Sequence, residues 1–150
     1  MPHPPESADV ARPARPALLL LEPYFVLRHT VVSVVQSLQL ANVSEAPSLD
    51  AAHWLLANQR FDAFVLALGE RRNELTLLRQ LRQGHTPSAP SAPVAVMTET
   101  CDAELVSALR ELGVMRVMLK PFKVKTVTDT IKRLVNEQQA LDELLGHVAA

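Results

Sequence analysis

The side chains able to do chemistry fall where apolar runs of the chain stop. Glu22 and Glu99 offer carboxylates, Thr98 a hydroxyl and Lys120 an ammonium group. No nucleophile stands beside a general base among them, which argues against acyl transfer or hydrolysis. Lys120 could sit beside an anion, but no Gly-rich phosphate loop accompanies it. Cys101 has no histidine or second cysteine close in sequence, so redox or nucleophilic work is not expected of it. His3, His29, His53, His85 and His147 lie in different segments without metal-ligand spacing, and no metal site is expected.

The elements that must position these groups are legible as an alternation. "ALLLLE", "FDAFVLAL", "VAVMT" and "VMRVML" are short continuous apolar runs, the pattern of strands buried on both faces. "NVSEA" is a weaker strand, ended by Pro47. Between the runs, Leu27, Val31, Val34, Val35 and Leu38 share one helical face, as do Leu75, Leu78 and Leu81, and Leu105, Leu109 and Leu112. Ser48 and Asp102 are placed to cap helices, and Gly84 and Gly113 to end them. The prediction is an α/β, doubly wound, flavodoxin-like (βα)5 fold: five parallel strands covered on both faces, with an extended C-terminal helix. The functional edge of such a sheet lies at the carboxyl ends of its strands. The residues to inspect are therefore Glu22-Pro23, Ala67-Leu68-Gly69, Thr98-Glu99 and Leu119-Lys120-Pro121-Phe122.

Bulk properties agree with one globular domain. The chain has 150 residues, 48% hydrophobic and 21% charged, with a net charge of -1. That leaves no clustered basic face for nucleic acid. The one cysteine excludes an internal disulfide framework and fits a reducing compartment. No signal peptide or membrane-length apolar run is visible, so a cytoplasmic protein is expected. Residues 1–15 read as a disordered, Pro-rich leader, 16–135 as the domain, and 136–150 as a helical extension. Trp54 sits beside buried-face residues of the second helix, either as a partly exposed contact or as core-edge packing.

At the strand ends the chain resembles the receiver domain of response regulators, over roughly Ala17 to Val135. "LKPF" after the fifth strand, "ALRELGV" on the fourth helix, "PVAVMTE" and "FDAFVLAL" carry the resemblance, in the family's order and spacing. The resemblance implies that Lys120 matches the family's lysine and Thr98 its hydroxyl switch residue. The acidic pair falls on Glu22 and Pro23, the phospho-accepting aspartate on Ala67, and the aromatic switch residue on Val117. Glu22, Thr98 and Lys120 are thus retained, while Pro23, Ala67 and Val117 are vacated. Aspartyl phosphorylation needs a carboxylate nucleophile and a Mg²⁺ ion held by oxygen ligands. Ala67 supplies no nucleophile and Pro23 no ligand, so no cofactor is expected and Mg²⁺ binding should be absent or weak. Asp62, at the opposite end of the same strand, cannot substitute. Lys120 is left either to pair with Glu22 (or Glu99) or to reach solvent.

The last helix outruns the resemblance. Val127, Ile131, Leu134, Gln138, Leu141, Leu145 and Val148 recur at alternating steps of four and three, a seam of about three heptads. Fully helical from Lys123 to Val148, it would be roughly 39 Å long at ~1.5 Å per residue. Lys123, Lys125, Lys132 and Arg133 lie early along it and Glu137, Asp142 and Glu143 late, against the helix dipole, which an antiparallel copy would relieve. Ile131, Leu134, Gln138, Leu141, Leu145 and Val148 are the predicted interface of a homodimer or of docking onto another protein. A tail that frays or folds back is the other outcome.

The expected function is a phosphorylation-independent pseudo-receiver in two-component (phosphorelay) signalling. It would be a non-enzymatic interaction and dimerisation module whose partner is a histidine kinase, a true response regulator or another signalling protein, with no nucleic acid or membrane involved. The alternatives are an active receiver with a non-standard acceptor, or an anion sensor using the vacated pocket near Lys120.

Overall fold

The computed structural model describes the backbone of residues 15–149 and the side chains of residues 15–136. All but the last residue of the expected leader, and the side chains of Gln138, Leu141, Leu145 and Val148, lie outside the described residues. Five strands, β1 (Ala17–Leu21), β2 (Asn42–Ala46), β3 (Ala63–Ala67), β4 (Val94–Thr98) and β5 (Arg116–Leu119), alternate with five helices. These are α1 (Phe25–Ser37), α2 (Leu49–Asn58), α3 (Glu74–Arg82), α4 (Ala103–Glu111) and α5 (Val124–Ala149). The strands form one parallel sheet in the order β2-β1-β3-β4-β5. This is the (βα)5 fold expected from the sequence, and the chain reverses its winding direction between β1 and β3.

The apolar strand runs are explained by two cores. On one face Leu19, Leu21, Phe64, Leu66, Val94 and Val96 meet α2, α3 and α4. On the other, Leu18, Leu20, Val65, Ala95, Met97 and Met118 meet α1 and α5. Successive side chains of a strand point to opposite faces, so a sheet covered twice needs apolar residues without interruption. β2 is an edge strand with Asn42 and Glu45 exposed, which is why its sequence signal was weak.

Caps and stops fall where their residue types require. Ser48 Oγ accepts from the Ala51 amide at 3.1 Å, and Asp102 Oδ1 from the Leu105 amide at 2.8 Å, each occupying a donor the helix leaves free. Gly84 and Gly113 take left-handed φ of 82° and 68° past the ends of α3 and α4. Arg82, at the end of α3, had no visible role in the sequence. Its guanidinium donates to the carbonyls of Leu112 (2.7 Å), Pro90 (2.8 Å), Ala92 (2.7 Å) and Gly113 (3.3 Å). It ties the Pro/Ser loop before β4 to the turn before β5, and partial burial lowers its pKa.

The helical seam divides. Val127, Ile131, Leu134 and Val135 are buried in the chain's own core against the sheet and α1. Ile131 and Leu134, both fully buried, therefore cannot be interface residues as the heptad spacing predicted. The first turns of α5 cover the sheet, and a covering helix shows the same apolar period as a pairing one.

Candidate functional site

Strand register carries the four marked positions to one edge. Leu21 pairs with Leu66, Ala67 with Met97 and Thr98 with Leu119, so Glu22, Ala67, Thr98 and Lys120 line up at the carboxyl ends of β1, β3, β4 and β5. They meet at the β1/β3 switch point, where an open sheet leaves a crevice. The crevice has a volume of about 390 Å³ and is lined by Pro23, Tyr24, Ala67, Gly69, Thr98 and Lys120, among others.

Its floor is an ion pair. Lys120 Nζ lies 2.7 Å from Glu22 Oε1, with Glu22 fully buried and the Lys120 side chain 14% exposed. Glu22 Oε2 accepts from the Tyr24 amide at 3.0 Å. Lys120 Nζ also stands 5.0 Å from the centre of the Tyr24 ring, within cation–π range. Of the two readings open from sequence, the geometry selects the pair. Arg28 steadies the same strand end, donating to the Glu22 carbonyl at 2.9 Å and pairing with Glu45 at 3.2 Å.

The other marked positions carry no such chemistry. Ala67, 4% exposed, presents only a methyl group at the end of β3. Thr98 Oγ1 donates to the Thr100 carbonyl at 2.9 Å, a local structural bond. Val117 packs partly buried against the face formed with α2, α3 and α4. Asp62 lies at the opposite end of the sheet, accepting from the Ala17 amide at 2.9 Å. Pro23 offers no oxygen from its side chain, and the two Glu22 oxygens accept from Lys120 and from the Tyr24 amide. Among the described residues no group of three acidic, histidine or cysteine side chains could hold a metal.

The loops around the crevice are tied by contacts that sequence reasoning missed. Glu74 Oε1 accepts from the Gly69 amide at 3.0 Å, folding the β3–α3 loop onto its helix. Arg72, at a left-handed φ of 56°, reaches across to Asp102 with Nη1–Oδ1 at 3.3 Å and Nη2–Oδ2 at 3.0 Å. The Arg72 fork, then the Leu105 amide, holds the Asp102 carboxyl below its usual pKa. Asp102 was recognisable as a cap; its partner thirty residues earlier was not. Glu70 and Glu99 line the rim. With Glu22 and Glu74 they outnumber Lys120, a balance unfavourable to an anion. Cys101 is a free, partly buried thiol, and Trp54 is 63% exposed on α2, a surface residue and not core packing.

No family model and no curated protein sequence matches the chain. Solved structures do. A CheY-like response regulator receiver domain protein from Methanospirillum hungatei superposes with a TM-score of 0.73 at 13% identity, over 85% of this chain and 98% of that one. The non-phosphorylated HemR receiver domain from Leptospira biflexa gives 0.71 at 23% identity, over 81% and 94%. A response regulator from Thermotoga maritima gives 0.67 at 21% identity, over 81% and 98%. The fold is that of response regulator receiver domains.

Proposed function

We propose that this chain is a receiver-like module of two-component signalling that works by protein contact, without phosphorylation and without Mg²⁺, and that dimerises through its last helix. The observation that carries the reading is the closed Glu22–Lys120 pair beside Ala67. The ammonium group neutralises the one buried carboxylate of the crevice, the place where an incoming ion and phosphoryl group would otherwise be needed. With Val117 at the aromatic position, no ring is present there to couple the crevice to a distant face. The partner would be a histidine kinase, a true response regulator or another signalling protein of the cytoplasm. Among the described residues no helix is long and apolar enough to cross a membrane.

The test is the solution mass of the full chain and of a truncation ending at Val135, each with and without acetyl phosphate and Mg²⁺. A dimer that needs the tail and ignores both additions is the expected result. A chain that gains phosphate mass overturns the proposal and directs attention to Glu22 and Glu99 as acceptors.

A further inference from the structure

Beside the crevice, and sharing Lys120 and Glu99 with it, lies a second opening of about 470 Å³. Its other walls are apolar: Leu27 of α1, and Pro121 and Phe122 of the β5–α5 loop. Leu27 and Phe122 also border a smaller space of about 20 Å³ between α1 and α5, walled by Val31, Val34 and Val127. The two spaces meet at those shared side chains, so the site runs from a polar mouth to an apolar end.

The apolar end offers nothing to water. The hydroxyls at its border, Thr30 and Thr128, donate to the Val26 and Val124 carbonyls of their own helices at 2.8 and 3.0 Å. A space of that size without free polar partners suits a methyl or ethyl group better than a water molecule. The mouth is the opposite. Lys120 spends one N–H on Glu22 and lies against the Tyr24 ring, and an ammonium group has further donors to give. Glu99 is exposed and takes part in none of the ion pairs of the described residues. A donor and an acceptor thus face the same opening without being paired to each other.

These charges choose the ligand. A carboxylate would meet Glu99, with the Lys120 charge already compensated by buried Glu22, and an ammonium group would meet Lys120. A neutral hydroxyl serves both, accepting from Lys120 and donating to Glu99. Pro121 and Phe122 offer flat apolar faces to a ring. We infer that this pocket binds a neutral phenolic ligand. Its ring lies between Leu27, Pro121 and Phe122, its hydroxyl meets Lys120 and Glu99, and a short alkyl group points between α1 and α5. A mainly apolar cleft with a few convergent polar groups is the usual build of a small-molecule site. The inference goes beyond the contact module proposed above by adding a ligand to it, and neither reading requires the other.

Heteronuclear NMR spectra of the full-length chain test it, titrated with para-ethylphenol and, in parallel, with ethylbenzene, para-ethylbenzoate and para-ethylbenzylamine. The phenol should bind saturably and move the amides of Leu27, Phe122 and Val127 most. Ethylbenzene lacks the hydroxyl and should bind about tenfold more weakly, as befits lost hydrogen bonds to charged groups. Both charged compounds should bind more weakly than the phenol. Glu99→Ala, at an exposed position, should leave the unfolding midpoint unchanged, weaken the phenol about tenfold and improve the benzoate. Equal affinity for ethylbenzene and the phenol would overturn the polar mouth, and a preference for the benzoate would overturn the neutral ligand. Leu27 and Phe122 amides that ignore every compound would overturn the pocket itself.

Discussion

Glu22 and Lys120 pose the sharpest question at the scale of single residues, because a fully buried carboxylate depends on its partner. Removing the ammonium leaves that charge without compensation, which costs about 3–5 kcal/mol in comparable buried pairs. Lys120→Met should therefore lower the free energy of denaturant unfolding by that order, whereas Glu22→Gln/Lys120→Met should recover most of it. Equal losses in the two variants would mean that packing of the lysine stem matters more than the charge. Thr98→Val should cost only about 1 kcal/mol, since its hydroxyl makes one local bond. That Glu22, Ala67, Thr98 and Lys120 fall at strand ends is legible in the sequence, because the apolar runs mark where each strand stops. The pairing of Glu22 with Lys120 is not decided by the sequence, because a lysine at a strand end has room to turn either way. Only the Tyr24 amide and ring, unremarked in the sequence, explain why it turns inward.

The elements are held by side chains that no pattern announced. Arg82 satisfies four carbonyls from two turns distant in sequence, so Arg82→Met should cost roughly 2 kcal/mol by its loss of charge-assisted bonds. Hydrogen exchange should then quicken in the 84–93 loop before it does in β3. The Arg72–Asp102 bridge between the β3–α3 loop and α4 carries a sign in pH. Because the Asp102 carboxyl titrates below its unfolded value, the bridge stabilises fully above the ordinary carboxylate range and fades as pH falls through it toward the folded value. The difference in melting temperature between the unchanged protein and Asp102→Asn should shrink accordingly on acidification, and a difference that grows would refute the bridge. Helices and caps were readable from period and residue type; such bridges were not, since long-range partners leave no local spacing. α5 shows the opposite failure. A heptad seam was plainly written, yet Ile131 and Leu134 serve the domain's own core. Ile131→Ala should cost about 3 kcal/mol in monomer and dimer alike, which is the mark of a core residue.

At the scale of the whole molecule, Val135 is the last core residue among the described ones. A chain ending there should fold with an unfolding free energy within ~0.5 kcal/mol of the longer chain's monomer. If the tails pair, the melting temperature of the full chain should rise with protein concentration, and that of the shortened chain should not. The sheet order follows from the alternation of strands and helices together with right-handed crossovers, which leave few arrangements open.

Trp54 carries the only indole of the chain, and it stands mostly in water on α2. Its emission is therefore already that of a solvated ring while the protein is folded. Unfolding should scarcely change the colour of the fluorescence, and a denaturation curve followed that way would be nearly flat. The same ring should shift to the blue when another molecule covers α2. The protein is optically mute about its own interior and responsive to whatever settles on that helix.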